Sequence, residues 1–126
     1  MRLIVDSDVL IDVLRRRADA RDLVANARRR DDELWSVAPV RTEIVCGQLP
    51  GEELATRQLL NVIAWLDVDV ELADRAGELG RPYARSHPGI DAVDLLLAAA
   101  TERLGGRLLT RNVRHFPMFR GLEPAY

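Results

Sequence analysis

Four short apolar runs are separated by long intervals with helical patterning: RLIV (2–5), ELWSVAP (33–39), AWLDVDV (64–70) and RLLT (107–110). None of these intervals is a tight turn, so the strands cannot pair as hairpins. Connections of a dozen residues or more join parallel strands, and their helices then cover both faces of the sheet. The spacing therefore predicts an α/β fold, a three-layer α/β/α sandwich around a central, mostly parallel sheet of four to five strands. A short fifth strand is expected near GLEP (121–124). No repeat, low-complexity tract or linker interrupts the chain, which reads as one domain over residues 1–126. In such sheets ligands bind at the carboxyl ends of the strands, where strand order reverses.

The helices follow from apolar spacing and end signals. Val9, Leu10, Val13 and Leu14 predict a helix over 8–17, with Asp8 placed to cap it. A second helix spans about 19–30 and ends in three arginines. Pro39 suits the start of a helix over 40–49, and 52–63 is amphipathic. Residues 71–86 form the next helix, broken at His87-Pro88-Gly89. The strongest pattern, 91–105, is closed by Gly105-Gly106.

Composition narrows the chemistry. Cys46 is the single cysteine, which excludes an internal disulfide and suits a reducing cytosol. No apolar run approaches the ~18 residues of a membrane span, and no signal sequence is evident, so a cytoplasmic protein without membrane contact is expected. The formal charge is −2, from 18 basic and 20 acidic residues, and every basic residue is Arg. Bulk electrostatics argues mildly against nucleic acid, but carboxylates that bind divalent cations would change the field a polyanion meets.

Those carboxylates are the feature to explain. In LIVDSDVLID (3–12) an apolar strand runs into Asp6, with Asp8 and Asp12 close behind. Unpaired like charges raise one another's pKa, so something should gather them. Asp6 ends the first strand, and TRN (110–112) follows the fourth at the same rim. Glu43 lies one turn into the helix after the second strand, and Asp94 near the start of the 91–105 helix. Four separated segments can thus deliver oxygen ligands to one pocket, a set suited to Mg²⁺ or Mn²⁺. One Cys and two His leave no zinc cluster, no glycine-rich phosphate loop is present, and Ser7 and Ser36 lack a His–acid partner.

Taken in order, LIVDSDVLID, SVAPVRTEIVCG, IDAVDLLLAAA and LLTRNVRHF resemble a PIN-domain ribonuclease, specifically a VapC-type toxin of a bacterial toxin–antitoxin pair. The resemblance implies an Mg²⁺- or Mn²⁺-dependent endoribonuclease that cleaves RNA by metal-activated water. It also implies a homodimer inhibited by a VapB-like antitoxin, which covers the acidic rim by inserting an Arg among the carboxylates. Asp6, Glu43 and Asp94 match the first three family acids. Asn112 stands where many members carry a fourth, a departure that Asp91, three residues before Asp94, is placed to offset. Asp91 is equally well placed as a helix N-cap, and Asp8 either caps the first helix or joins the cluster. Thr110 is expected to orient the acids, and Arg111 and Arg114 to contact phosphate. Two alternatives stand beside this reading: a housekeeping RNA-processing nuclease, and a non-catalytic binding module to which Asn112 lends weight.

The remaining features have plainer roles. Asp12 reads as a salt-bridge residue, Arg15–Arg17 and Arg28–Arg30 as solvated helix ends, and Phe116, Trp35 and Trp65 as core. His87 reads as a loop residue, and His115 carries no assignment. Leu49, Leu54, Leu59 and Leu60 are candidates for dimer or antitoxin contacts, or for packing within the chain.

Overall fold

The computed structural model describes residues 1–126. The chain runs β1 (Arg2–Val5), α1 (Ser7–Leu14), α2 (Ala18–Arg29), β2 (Glu33–Val37), α3 (Ala38–Cys46), α4 (Glu53–Val62), β3 (Ala64–Leu66), α5 (Val70–Gly80), α6 (Ala92–Leu104) and β4 (Arg107–Leu109). Short 3₁₀ turns cover Arg81–Tyr83 and Val113–His115. The four strands form one sheet in the order β3-β2-β1-β4, and every pairing is parallel.

This order follows from the connections. The first two crossovers step from β1 to β2 to β3, whereas the third returns past both to place β4 beside β1. Right-handed crossovers then put α1–α4 on one face and α5–α6 on the other. The helix contacts agree: α1 meets α2, α3 and α4, while α6 packs on α5, β1 and β2. Strand order reverses between β1 and β4, where Ile4 pairs with Leu108 and Val5 with Leu109. Both strands direct their carboxyl ends to the same rim.

β1 is buried on both faces through Leu3, Ile4 and Val5, as a central parallel strand must be. Beneath it, Leu97, Ala98 and Ala100 of α6 are all 1% exposed or less, while Ala99 packs on Leu72 and Ala76 of α5. The alanines let the helix axis approach its neighbours. Gly105 ends α6 in the left-handed conformation at φ 60°. At Gly106 a Cβ would stand 2.5 Å from the Arg2 carbonyl oxygen, so only glycine lets the chain enter β4 here.

Several boundaries differ from expectation. α1 starts at Ser7, so its N-cap is Asp6 rather than Asp8. α5 stops at Gly80 because Pro82 cannot continue the helix, and a 3₁₀ turn follows. Residues 121–124 form no strand: Gly121 turns left-handed at φ 68°, and Pro124 has no N–H for a ladder. The segment is instead tied to the end of β4 by a hydrogen bond from Ala125 N–H to the Thr110 carbonyl (2.8 Å). The tryptophans are half-buried rather than core, with the Arg2 guanidinium over Trp35 and Arg41 over Trp65. Leu59 and Leu60 belong to the core, which leaves Leu49 and Leu54 exposed. Phe116 is core, at 1% exposed.

Candidate active site at the carboxylate rim

The rim is built from the ends of four elements. Asp6 directly follows β1; its backbone N–H still belongs to the sheet, donating to Leu109 O (3.0 Å). Its carboxylate turns to cap α1, accepting from Ser7 N–H at 2.7 Å on Oδ1. On Oδ2 it accepts from the Thr110 hydroxyl at 2.8 Å. β1 and β4 are thus tied across the switch point by an acid and a hydroxyl, both buried.

Glu43 comes in from α3. The Ser7 hydroxyl stands 3.3 Å from Glu43 Oε2 and 3.4 Å from Asp6 Oδ1, so its one proton links the two acids. Asp94 comes from the first turn of α6, and Asp91 is the N-cap of that helix. The pair forms a reciprocal capping box, Asp94 N–H to Asp91 Oδ1 at 2.9 Å and Asp91 N–H to Asp94 Oδ2 at 3.1 Å. Both readings of Asp91 are therefore compatible: it caps the helix and stands beside Asp94.

Two residues close the circuit without having been singled out from sequence. Ser7 bridges Asp6 and Glu43, and His115 places Nδ1 2.9 Å from Asp94 Oδ2. The same His115 nitrogen lies 3.1 Å from the side-chain amide of Asn112, whose backbone N–H donates to the Thr110 hydroxyl at 3.0 Å. A continuous path runs from Glu43 through Ser7, Asp6, Thr110, Asn112 and His115 to Asp94. Ser7 lies within the quoted LIVDSDVLID motif, but only the fold shows that α3 passes it. His115 follows Asn112 by three residues, a helical spacing that was a usable signal.

Asp8 is half-buried beside this path, accepting from the Arg111 backbone N–H at 2.9 Å. The Arg111 side chain is committed elsewhere: its guanidinium holds Asp12 at 3.0 Å, and Tyr126 Oη donates to the same carboxylate oxygen at 2.5 Å. Arg111 and Arg17 flank the Tyr126 ring. Asp12 is thus the salt-bridge residue expected, and Arg111 frames the rim instead of projecting freely from it. Arg114 is exposed.

The electrostatics are those of uncompensated acids. Burial, followed by the nearby charge of Asp8, pushes Asp6 up to about 7 despite the opposing hydrogen bonds from Thr110 and Ser7. Asp8, Glu43 and Asp94 are also raised, each chiefly by withdrawal from water. Asp91 and Asp94 add repulsion at Glu43, and Asp94 adds it at Asp6, so the three acids feel one another. Of the rim acids, Asp94 alone meets a basic side chain, His115.

The donor set fits a hard divalent cation in kind, being all oxygen and short of positive charge. No three of the His, Cys, Asp and Glu side chains stand close enough to form a chelating cage. A spaced set suits an ion that keeps several waters and takes only one or two carboxylates directly. Asp94 Oδ1 and Glu43 Oε1 accept no hydrogen bond within the protein.

Comparison with known proteins agrees with this arrangement. Residues 3–119 match the PIN domain. The chain is 37% identical to ribonuclease VapC19 of Mycobacterium tuberculosis over 123 residues, 98% of both chains. It is 38% identical to ribonuclease VapC10 of the same organism over 125 residues, 98% of this chain and 92% of that one. This chain belongs to the PIN-domain family, in its VapC branch. Among solved structures, a toxin–antitoxin complex from Klebsiella pneumoniae superposes with a TM-score of 0.79 at 20% identity, over 98% of each chain. VapBC2 of Rickettsia felis, bound to a DNA fragment from its promoter, superposes at 0.75 and 15% identity, covering 98% of this chain and 97% of that one. This PIN domain therefore shares its fold with a chain of each of those complexes, with the carboxylate rim at its topological switch point.

Proposed function

We propose that this PIN domain is an Mg²⁺- or Mn²⁺-dependent endoribonuclease, the toxin of a toxin–antitoxin pair, working in the cytoplasm as a homodimer. One observation carries the reading: acids from the end of β1, α3 and α6, remote in sequence, meet along one path of polar contacts that holds no arginine and only His115, at Asp94, as a basic neighbour. Asp6, Glu43 and Asp94, with Asp91 beside them, would hold the ion. When bound, the cation would neutralise charge on a scissile phosphate and lower the pKa of an attacking water.

The residues around the acids have separable tasks. Thr110 and Ser7 hold Asp6 with Oδ2 toward the end of β4 and Oδ1 toward α1, and Ser7 keeps Glu43 within reach. Asp94 or Asp91, paired through the capping box, is the acid that would help orient or deprotonate water. In-line attack would leave 5′-phosphate and 3′-hydroxyl ends without using the 2′-hydroxyl, so selection of RNA belongs to the surface around the rim. Arg114 is the exposed arginine nearest that task, while Arg111 acts through its tie to Asp12.

The antitoxin is assigned to a groove of about 1240 Å³ between α1, α2 and α4, lined by Val13, Val24, Leu59 and Val62. Arg16, Arg21 and Arg28 border it against a single acid, Asp22, so its occupant should be an amphipathic segment with acidic flanks. An Arg of the antitoxin inserted among the carboxylates would supply the charge they lack.

Purified protein incubated with RNA should cleave it with Mn²⁺ or Mg²⁺, and not with EDTA. The Asp94→Asn protein should be inactive under the same conditions. Identical cleavage by both proteins would overturn the assignment, and mapping of cleaved ends in total RNA would then name the substrate of an active one.

A further inference from the structure

His115 has no part in the reading above, yet it touches the acid on which that reading leans most. The Val113–His115 turn presents the ring, with His115 N–H bonded back to Asn112 O at 3.1 Å and the buried Phe116 anchoring the next position. The far edge of the ring faces the loop before α6: a Cβ added at Gly89 would lie 3.5 Å from Nε2. The near edge brings Nδ1 within 2.9 Å of Asp94 Oδ2.

We infer that His115 is a positioning residue for Asp94, donating from Nδ1–H to Oδ2 so that Oδ1 alone is presented to a divalent cation. Oδ2 already accepts the Asp91 backbone N–H at 3.1 Å, so the two donors use both of its lone pairs. Oδ1 accepts nothing from the protein. The carboxylate is therefore held against rotation by contacts on Oδ2 alone. Without His115 the capping-box bond remains, but a single bond does not fix the plane of the carboxylate.

The same geometry accounts for Asn112. The structure sets Asn112 Nδ2 3.1 Å from the same ring nitrogen. A nitrogen that donates to Asp94 cannot accept from an amide N–H, so a half-turn of the amide is required to bring its oxygen to the ring. An ionised acceptor binds a donor more strongly than a neutral one, so Nδ1–H stays directed at Asp94. A carboxylate at position 112 would compete for that donor. In this chain Asn112 is thus a partner of His115 rather than a ligand.

The inference rests on the metal-nuclease reading and is tested by Mn²⁺ binding in the absence of RNA, measured by calorimetry on the full chain. His115→Phe should weaken Mn²⁺ binding about 10- to 100-fold, the usual effect of removing the hydrogen-bond partner of a ligand. His115→Asn, whose amide nitrogen falls where Nδ1 was, should bind nearly as the unsubstituted chain does. His115→Gln reaches the Nε2 position toward Gly89 and should behave like Phe. Unchanged Mn²⁺ affinity in the Phe variant overturns the inference, and so does an equal loss in the Asn and Phe variants, which would mark ring packing alone. An unsubstituted chain that binds no Mn²⁺ overturns the metal reading itself, a result distinct from either.

Discussion

Two acidic regions of this molecule use the same residue types to opposite ends. On the outer α5–α6 face, Asp69 is gripped by Arg103 at 3.0 and 3.1 Å, and Glu102 by Arg75 at 2.7 and 2.9 Å. Those bonds hold both carboxyls below the usual carboxylate range. At the rim, Asp6, Asp8, Glu43 and Asp94 are raised, because burial and mutual repulsion outweigh the hydrogen bonds they receive. The outer acids carry their counter-ions within the chain. Apart from His115 at Asp94, the rim acids are organised by neutral donors, Thr110, Ser7 and backbone N–H groups, which orient a carboxylate without neutralising it. A charge deficit kept in place this way is a specification for an external cation.

The comparison is broken most forcefully at the rim. Asp6→Asn or Asp94→Asn should lower the rate of RNA cleavage by at least roughly 100-fold, because each removes a charge that the cation needs. The same Asp6→Asn protein without metal should be no less stable than the parent at pH 8, measured by thermal unfolding.

A pH series sharpens the contrast next. A carboxyl raised to about 7 keeps its proton in the folded chain over a range where the unfolded chain has lost it. The folded state then binds more protons, so stability contributed by Asp6 is lost as pH rises from about 4 to 7, by on the order of a few kcal/mol. The metal-free protein should accordingly melt lower at pH 8 than at pH 5.5, and millimolar Mg²⁺ should restore the midpoint at pH 8. Asp69 and Glu102 work in the opposite sense: their contribution is present above the ordinary carboxylate range and lost as pH falls below it.

Smaller effects follow from single contacts. Thr110→Val removes the hydroxyl that donates to Asp6 and leaves a buried acceptor short of a partner, which should cost about 1–3 kcal/mol of stability. It should also push Asp6 higher still, displacing the pH dependence of melting upward. Least of all, Arg75→Ala should change neither cleavage rate nor Mg²⁺ response, since surface ion pairs contribute little. A rim-like effect from Arg75→Ala would erase the distinction between the two regions.

Much of the rim was legible because β strands that run into acids announce themselves. Asp6, Glu43 and Asp94 were assigned from their places after β1, inside α3 and at the start of α6, and the fold brings all three to one hydrogen-bonded path. The four parallel strands were likewise readable from their spacing. What failed was local competition for shared roles. Both Asp6 and Asp8 can cap a helix, and backbone geometry gave the cap to Asp6. GLEP has strand-like brevity, but Gly121 and Pro124 turn it away from the sheet. Ser7 and His115 went unassigned because a hydroxyl or an imidazole has no meaning until its neighbours are known.

The sequence alone determined the alternation of strand and helix and the placing of Asp6 at the carboxyl end of β1, since both depend on periodicity and short-range chemistry. Only the tertiary structure decided that β4 returns to lie beside β1, and so that Thr110 meets Asp6 across 104 residues of chain. It also decided which carboxylates found arginines and which found only neutral donors. The physical reason is range: capping and amphipathic spacing act within a few residues, whereas charge compensation depends on which surfaces the crossovers bring together.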